Sequence, residues 1–283
     1  MDVKVGDYVV RRSYDRDIIF KVKQIFPDEN GSLSAVLKGV AIRLLADAPM
    51  EDLETLDPKE TAGIIEAAED KEIEALMSRC KSRSLWRSSE KKQDHSFFDF
   101  PGKVLHLDGD REYLNKCVEV YNKFNIPNAG LAVPEKEQPD AVGYYLEKYR
   151  PGILVITGHD SLLKGAEDLG NLDNYRSSGY FAETVRNARL YQPDPDSLVI
   201  FAGACQSCYE ELIRAGANFA SSPKRVFIHI FDPVLIIERI AFTSIKEVVT
   251  ADEIVGGTVT GSDGVGGIET RGQFRLGYPS SLV

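Results

Sequence analysis

Gly152-Ile-Leu-Val-Ile-Thr-Gly-His159-Asp160 and Leu198-Val-Ile-Phe-Ala-Gly-Ala-Cys205-Gln206-Ser207 are two apolar runs of one form, each ending in a side chain suited to acyl transfer. Each reads as a buried parallel strand whose last turn presents one reactive group. In an open α/β sheet the carboxyl ends of the strands line the ligand crevice, so His159 and Cys205 reach the same place if their strands are neighbours. A Cys/His dyad is therefore the leading reading.

The surroundings of these runs supply the rest of such a sheet. Val104-Leu-His-Leu107 precedes a helical pattern near Asp110, and Gly130-Leu-Ala-Val133 precedes one near Gln138. Arg225-Val-Phe-Ile-His-Ile-Phe231 follows as a fifth strand. Strands alternating with helices predict an α/β domain over residues 99–283, a parallel sheet with helices on both faces. With right-handed crossovers the simplest order is 2-1-3-4-5, which sets the His159 strand beside the Cys205 strand. The Gly-rich stretch from Gly256 to Gly277 has no evident following helix, so it reads as a flexible loop rather than a phosphate loop.

Residues 1–56 alternate apolar and polar positions, as in Phe20-Lys-Val22-Lys23, around a turn at Pro27-Asp-Glu-Asn-Gly31. This predicts a small antiparallel barrel. Val5-Gly-Asp-Tyr-Val-Val-Arg-Arg12 resembles the first strand of SH3-like barrels, which implies a docking module or a packing adaptor. Residues 57–98 read as a helix and a charged linker. Ile64, Ile65, Ala68 and Ile73 form an apolar stripe up to about Met77, after which the basic stretch Arg79 to Lys92 loses periodicity.

Composition narrows the function classes. The 283 residues carry 34 Lys and Arg against 44 Asp and Glu, a formal charge of -10, which argues against a general nucleic-acid or anionic-membrane binder. The opening residues Met1 to Asp7 lack a signal-peptide core, and the apolar run from Val226 to Phe242 is broken by His229, Asp232, Glu238 and Arg239. No segment reads as secreted or membrane-spanning. Four irregularly spaced cysteines, Cys80, Cys117, Cys205 and Cys208, make no disulfide framework and point to a reducing compartment.

A thiol becomes a good nucleophile on ionising, and two devices favour that at Cys205: a nearby imidazole and the start of a helix, suggested by Tyr209-Glu-Glu-Leu-Ile-Arg214. The amide of Cys205, with those of Gly158 and Asp160 around the His159 turn, is suited to hold a developing oxyanion, and His159 to protonate the leaving amine. His106 and His229 lie in apolar runs and read as core histidines. No Cys or His cluster has zinc-ligand spacing, so neither a metal nor another cofactor is expected. Two alternatives stay open: a thiol-disulfide oxidoreductase using Cys205 and Cys208, and an inert binding scaffold.

Cys205 follows His159 by 46 positions and is preceded by Ala204. This resembles the caspase-like clan of cysteine peptidases, whose His and Cys lie roughly 50 residues apart. In that clan a Gly usually follows the His; here Asp160 follows and Gly158 precedes. Taken with the barrel-like start, Thr157-Gly-His-Asp160 and Gly203-Ala-Cys-Gln-Ser207, nearly the whole chain is similar to the YabG family of sporulation-specific peptidases. The resemblance implies limited proteolysis of spore coat and cortex proteins, in the mother-cell cytoplasm or at the coat, with cleavage after Arg. An Arg-directed S1 pocket needs a carboxylate. Caspase-like folds build S1 from the loops after the first strand and after the strand following the Cys, which here carry Asp108, Asp110 and Asp232. Asp108 ranks first. Asp110 and Asp232 also read as helix caps.

Overall fold

A computed structural model describes residues 3–27, 31–90 and 97–279, and only the backbone at residue 76 and residues 79–90. The chain divides into two compact units, Met1–Lys81 and Ser82–Val283.

The first unit is an antiparallel sheet of β1 (Tyr8–Arg11), β2 (Phe20–Pro27), β3 (Leu33–Gly39), β4 (Leu45–Pro49) and β5 (Leu53–Thr55), in the order β4-β3-β2-β1-β5. Its core gathers alternate residues, Val9, Phe20, Val22, Ala35, Leu37, Ala48 and Leu53, as the two-residue period of a pleated strand requires. A register shift between Val22 and Gln24 marks a bulge in β2. Of the expected turn at residues 27–31, residues 28–30 lie outside the described residues, as do Met1 and Asp2.

Helix α1 (Pro58–Glu90) starts where Asp57 Oδ1 accepts the amides of Lys59 and Glu60 at 3.0 and 2.8 Å. Its backbone stays helical well past Met77, where a linker was expected. Residues 79–90 contain no Gly or Pro and several strong helix formers, so loss of apolar periodicity there does not end the helix. The expected stripe is only partly realised: Ile73 is buried, while Ile64 and Ala68 are exposed. Residues 91 and 92 of the basic stretch and the side chain of Cys80 lie outside the described residues.

The second unit opens with β6 (Phe98–Phe100), β7 (Val104–Asp108), α2 (Arg111–Lys123), β8 (Asn128–Ala132), α3 (Gln138–Tyr149) and β9 (Ile153–Thr157). It continues with α4 (Ser178–Tyr191), β10 (Val199–Ala202), α5 (Tyr209–Ala215), β11 (Phe219–Ser221) and α6 (Asp232–Phe242). Short elements complete it: β12 (Val248–Val249), α7 (Ala251–Val255), β13 (Val265–Gly267), β14 (Thr270–Arg271) and β15 (Arg275–Gly277). The main sheet runs β13-β11-β10-β9-β7-β8, with five parallel strands and β13 antiparallel at the edge. One set of alternate residues, including Leu105, Leu107, Leu154, Ile156, Ile200 and Ala202, packs with α3, α4 and α5. The other set faces α2 and α6, which touch one another.

Two expectations are corrected here. The fifth parallel strand is the short Phe219–Ser221, and residues 225–231 form no strand of the main sheet. Apolar content did not decide between them, because the outer edge of β11 is taken by β13. The Gly-rich stretch is consequently not one flexible loop: it gives β13 to the main sheet, while β14 pairs with β12 and β15 with β6. Gly267 is required there, since a Cβ would come within 2.2 Å of the Phe219 ring and 2.4 Å of the Asn218 carbonyl. Among the described residues no helix is long and apolar enough to cross a membrane.

Candidate active site

Strands β9 and β10 pair in parallel with Ile156 opposite Ala202. His159 and Cys205 each follow three residues later, so the register carries both onto the carboxyl edge of the sheet at matching positions on adjacent strands. The chain leaves β10 through Gly203 at φ +111, whose amide donates to the Ile156 carbonyl at 3.0 Å. A Cβ at Gly203 would meet Ser221 Oγ at 2.3 Å, so this turn needs glycine for conformation and for room.

His159 is buried and held from two sides. Its Nε2 lies 2.8 Å from Asp110 Oδ2, while Asp110 Oδ1 caps α2 by accepting the Glu112 and Tyr113 amides at 2.9 and 3.2 Å. The Tyr113 ring lies against the imidazole with centroids 5.5 Å apart. The His159 amide donates to Glu135 Oε1 at 2.7 Å. That carboxylate lies across Gly109 and Gly158, where a Cβ would approach it to 2.2 and 2.4 Å. The remaining ring nitrogen, Nδ1, is buried and has no hydrogen-bond partner among the described residues.

Cys205 is wholly buried. Its Sγ accepts a hydrogen bond from the Ile228 amide at 3.2 Å and lies 3.9 Å from the Ile228 carbonyl. Residues 225–231, the expected fifth strand, thus pass over the thiol as a strap. The Gln206 amide donates to the Val226 carbonyl at 3.1 Å and to Ser222 Oγ at 2.9 Å. The Arg225 guanidinium is anchored on Tyr175 OH at 2.7 Å, the Leu169 carbonyl at 3.1 Å and Glu210 Oε2 at 2.5 Å. Helix α5 begins only at Tyr209 and has seven residues, with Cys208 at its N-cap. The expected assistance of a helix start to Cys205 is therefore not built directly against the sulfur.

Cys117, Cys205 and Cys208 are all free thiols. The Cys208 sulfur lies 3.4 Å from the Leu169 carbonyl, and burial pushes its thiol pKa up. Asp160 joins the two reactive turns through its side chain. It accepts from the amides of Ser161 and Ser177 at 2.9 and 2.8 Å, from Ser178 Oγ, and from Ser207 Oγ at 2.8 Å. Ser207 Oγ in turn accepts the Ala204 amide at 2.9 Å, and Ser178 Oγ accepts the Cys208 amide at 2.8 Å. Burial pushes the Asp160 carboxyl up, and the hydrogen bonds from Ser178, Ser177, Ser207 and Ser161 oppose that shift.

The three carboxylates expected for S1 all sit in hydrogen-bonded networks. Asp108 is fully buried at the end of β7, with Oδ2 accepting Thr157 Oγ1 at 2.8 Å and Oδ1 accepting the Asp110 amide at 2.8 Å. Asp110 is shared between α2 and His159. Asp232 is fully buried at the start of α6 and accepts the amides of His229, Val259 and Thr260 and the hydroxyl of Thr260. His106 is a satisfied core histidine, 2.7 Å from Thr157 Oγ1 and 3.3 Å from Tyr121 OH. His229 lies in the strap, half-buried, its Nδ1 accepting the Phe231 amide at 3.2 Å. Among the described residues no group of three His, Cys, Asp or Glu side chains is placed to hold a metal ion.

Sequence reading did not find the contact of Asp110 with His159, the side-chain role of Asp160, or Glu135. Only Asp110 left a local trace, as a cap, and its partner is 49 positions away.

Residues 4–279 match the family described as YabG peptidase U57. The chain belongs to this family. It is 44% identical to the sporulation-specific protease YabG of Bacillus subtilis (strain 168), over 99% of each chain. Membership in the YabG family makes the chain a peptidase, a hydrolase whose substrates are proteins or peptides.

Proposed function

We propose that this YabG-family peptidase is a sporulation-associated cysteine endopeptidase with a caspase-like catalytic domain, Cys205 as nucleophile and His159 as general base and acid. The observation that carries the reading is the register of Ile156 with Ala202, which brings the two reactive turns to one sheet edge. The Cys205 proton passes to the imidazole, and the thiolate attacks the scissile carbonyl carbon to form a C–S bond. The carbonyl electron pair moves onto oxygen, which is held by the amide of Cys205 with those of Gly158 and Asp160. The His159 amide is already given to Glu135, so it takes no part. The C–N bond then breaks as the imidazolium protonates the leaving amine. Water, deprotonated by the imidazole, attacks the thioester carbon, the C–S bond breaks, and the proton returns to sulfur.

Cleavage after Arg and the processing of spore coat and cortex proteins belong to the same proposal as what the family resemblance implies, and the likeness to a sporulation-specific protease supports the sporulation setting. Asp110 is spoken for by His159, which leaves Asp108 and Asp232 to read the guanidinium. An arginine reaching either one exchanges for hydrogen bonds that carboxylate already makes. The N-terminal sheet is proposed as an SH3-like docking module.

The test is cleavage of an unstructured, Arg-containing protein by the purified chain and its variants, followed by sequencing of the fragments. The peptidase loses activity with Cys205→Ala or His159→Ala and keeps it with Cys208→Ser. Thiol-disulfide exchange that depends on both cysteines, with no cleavage, would replace this reading by the oxidoreductase one.

A further inference from the structure

We infer that Asp110 is the positioning residue that fixes the tautomer of His159, so that Nδ1 and not Nε2 is the nitrogen offered to the thiol. The inference rests on the cysteine-peptidase reading and adds to it a third side chain with a defined task.

A neutral imidazole carries one proton, and the group bonded to one nitrogen decides where it sits. An ionised carboxylate only accepts hydrogen bonds, so Asp110 Oδ2, 2.8 Å from Nε2, holds the proton on Nε2. Nδ1 is then left with its lone pair, the form a general base requires, and it is the ring nitrogen that is buried without a partner among the described residues. When Nδ1 takes the thiol proton, the resulting imidazolium faces a carboxylate across a hydrogen bond in a site where both side chains are largely buried, at 10% and 13% exposure. Attraction between such charges is much stronger there than in water.

Asp110 is itself immobilised. Its other oxygen caps α2 through two backbone amides, and its own amide donates to Asp108 Oδ1, which is fixed in turn by Thr157 at the end of β9. The imidazole is thus oriented by a side chain belonging to the first βα connection of the sheet, while the ring sits on the third strand's turn. Packing of Tyr113 against the ring restricts the remaining rotation.

The experiment compares Asp110→Asn and Asp110→Ser with the full-length wild-type chain. Asn and Ser both cap helices about as well as Asp, so α2 and the melting temperature are preserved. Asn, however, presents an amide N–H to Nε2 once its oxygen caps the helix, which drives the ring proton to Nδ1 and blocks the base. Ser removes the contact altogether. For Asp110→Asn, kcat falls by about 10²-fold or more with KM little changed, by analogy with the wrong-tautomer effect in Ser/His/Asp enzymes. The imidazole ¹⁵N spectrum shows the proton moved from Nε2 to Nδ1. Asp110→Ser loses kcat to a smaller extent.

A folded Asp110→Asn variant with wild-type kcat, or a wild-type spectrum with the proton on Nδ1, overturns the assignment. If Asn perturbs folding, the Ser variant and the wild-type spectrum decide in its place. Cys205→Ala, assayed in parallel, separates the two levels: an active Cys205→Ala variant removes the cysteine mechanism itself, whereas an inactive one beside a fully active Asp110→Asn removes only the role of Asp110.

Discussion

The amide of Ile228 donates to the sulfur of Cys205 at 3.2 Å, and the thiol beneath it has no exposed surface. A thiol so covered is modified only when residues 225–231 move aside, so its modification rate reports the opening of the strap. The anchor of that strap is the Arg225 guanidinium on Tyr175, Leu169 and Glu210.

Arg225→Ala therefore accelerates iodoacetamide labelling of Cys205 by about tenfold, the equivalent of one charge-assisted hydrogen bond lost from the closed form. Labelling of Cys117, buried in α2, stays unchanged. Peptide mapping of alkylated protein at short times measures both. Wild-type labelling as rapid as that of an unfolded thiol would show that the strap does not close in solution.

Asp160 gives a pH dependence of stability. Burial raises its carboxyl above the ordinary aspartate range, so the folded chain holds that proton more tightly than the unfolded one. Its contribution is complete below the unfolded value and is lost as pH rises through the folded one. Relative to Asp160→Asn, the wild type loses stability as pH increases from about 4 upward. Paired urea titrations at several pH values give the difference directly, and a constant difference across that range would contradict the sign.

Substrate choice is tested at Asp108 and Asp232. Replacing the carboxylate that reads a P1 arginine by Asn lowers kcat/KM for Arg substrates by about tenfold or more, while alkylation of Cys205 is nearly unaffected. Lys substrates are cut less well than Arg ones by the wild type, since a bidentate contact is specific to the guanidinium. If both variants cleave Arg and Lys substrates as the wild type does, neither carboxylate lines S1.

Strands β9 and β10 were legible because strands buried on both faces read as unbroken apolar runs, and the start of α2 because Asp110 reads as its cap. The neighbourhood of the His159 and Cys205 strands followed from connection rules acting on those runs. Strand β11 was not legible: three residues, Phe219–Ser221, carry too little pattern, and the richer run at 225–231 competes with it. What separates them is β13, some fifty residues further on, which no local signal announces. The Asp110 contact with His159 and the serine donors around Asp160 were hidden for the same reason. Each joins loops that are distant in sequence and adjacent only once the sheet is assembled.

The antiparallel β13 also sets the order in which the catalytic sheet can be finished during synthesis. Strand β11 stands directly beside β10, which leads into Cys205, and among the described residues its outer edge is paired by Val265–Gly267. Until those residues leave the ribosome, this side of the sheet ends in an open row of amides and carbonyls next to the strand that leads to Cys205. The flank of the sheet on the Cys205 side thus gains its antiparallel cover late in synthesis, after the strands that lead to His159 and Cys205 have been made.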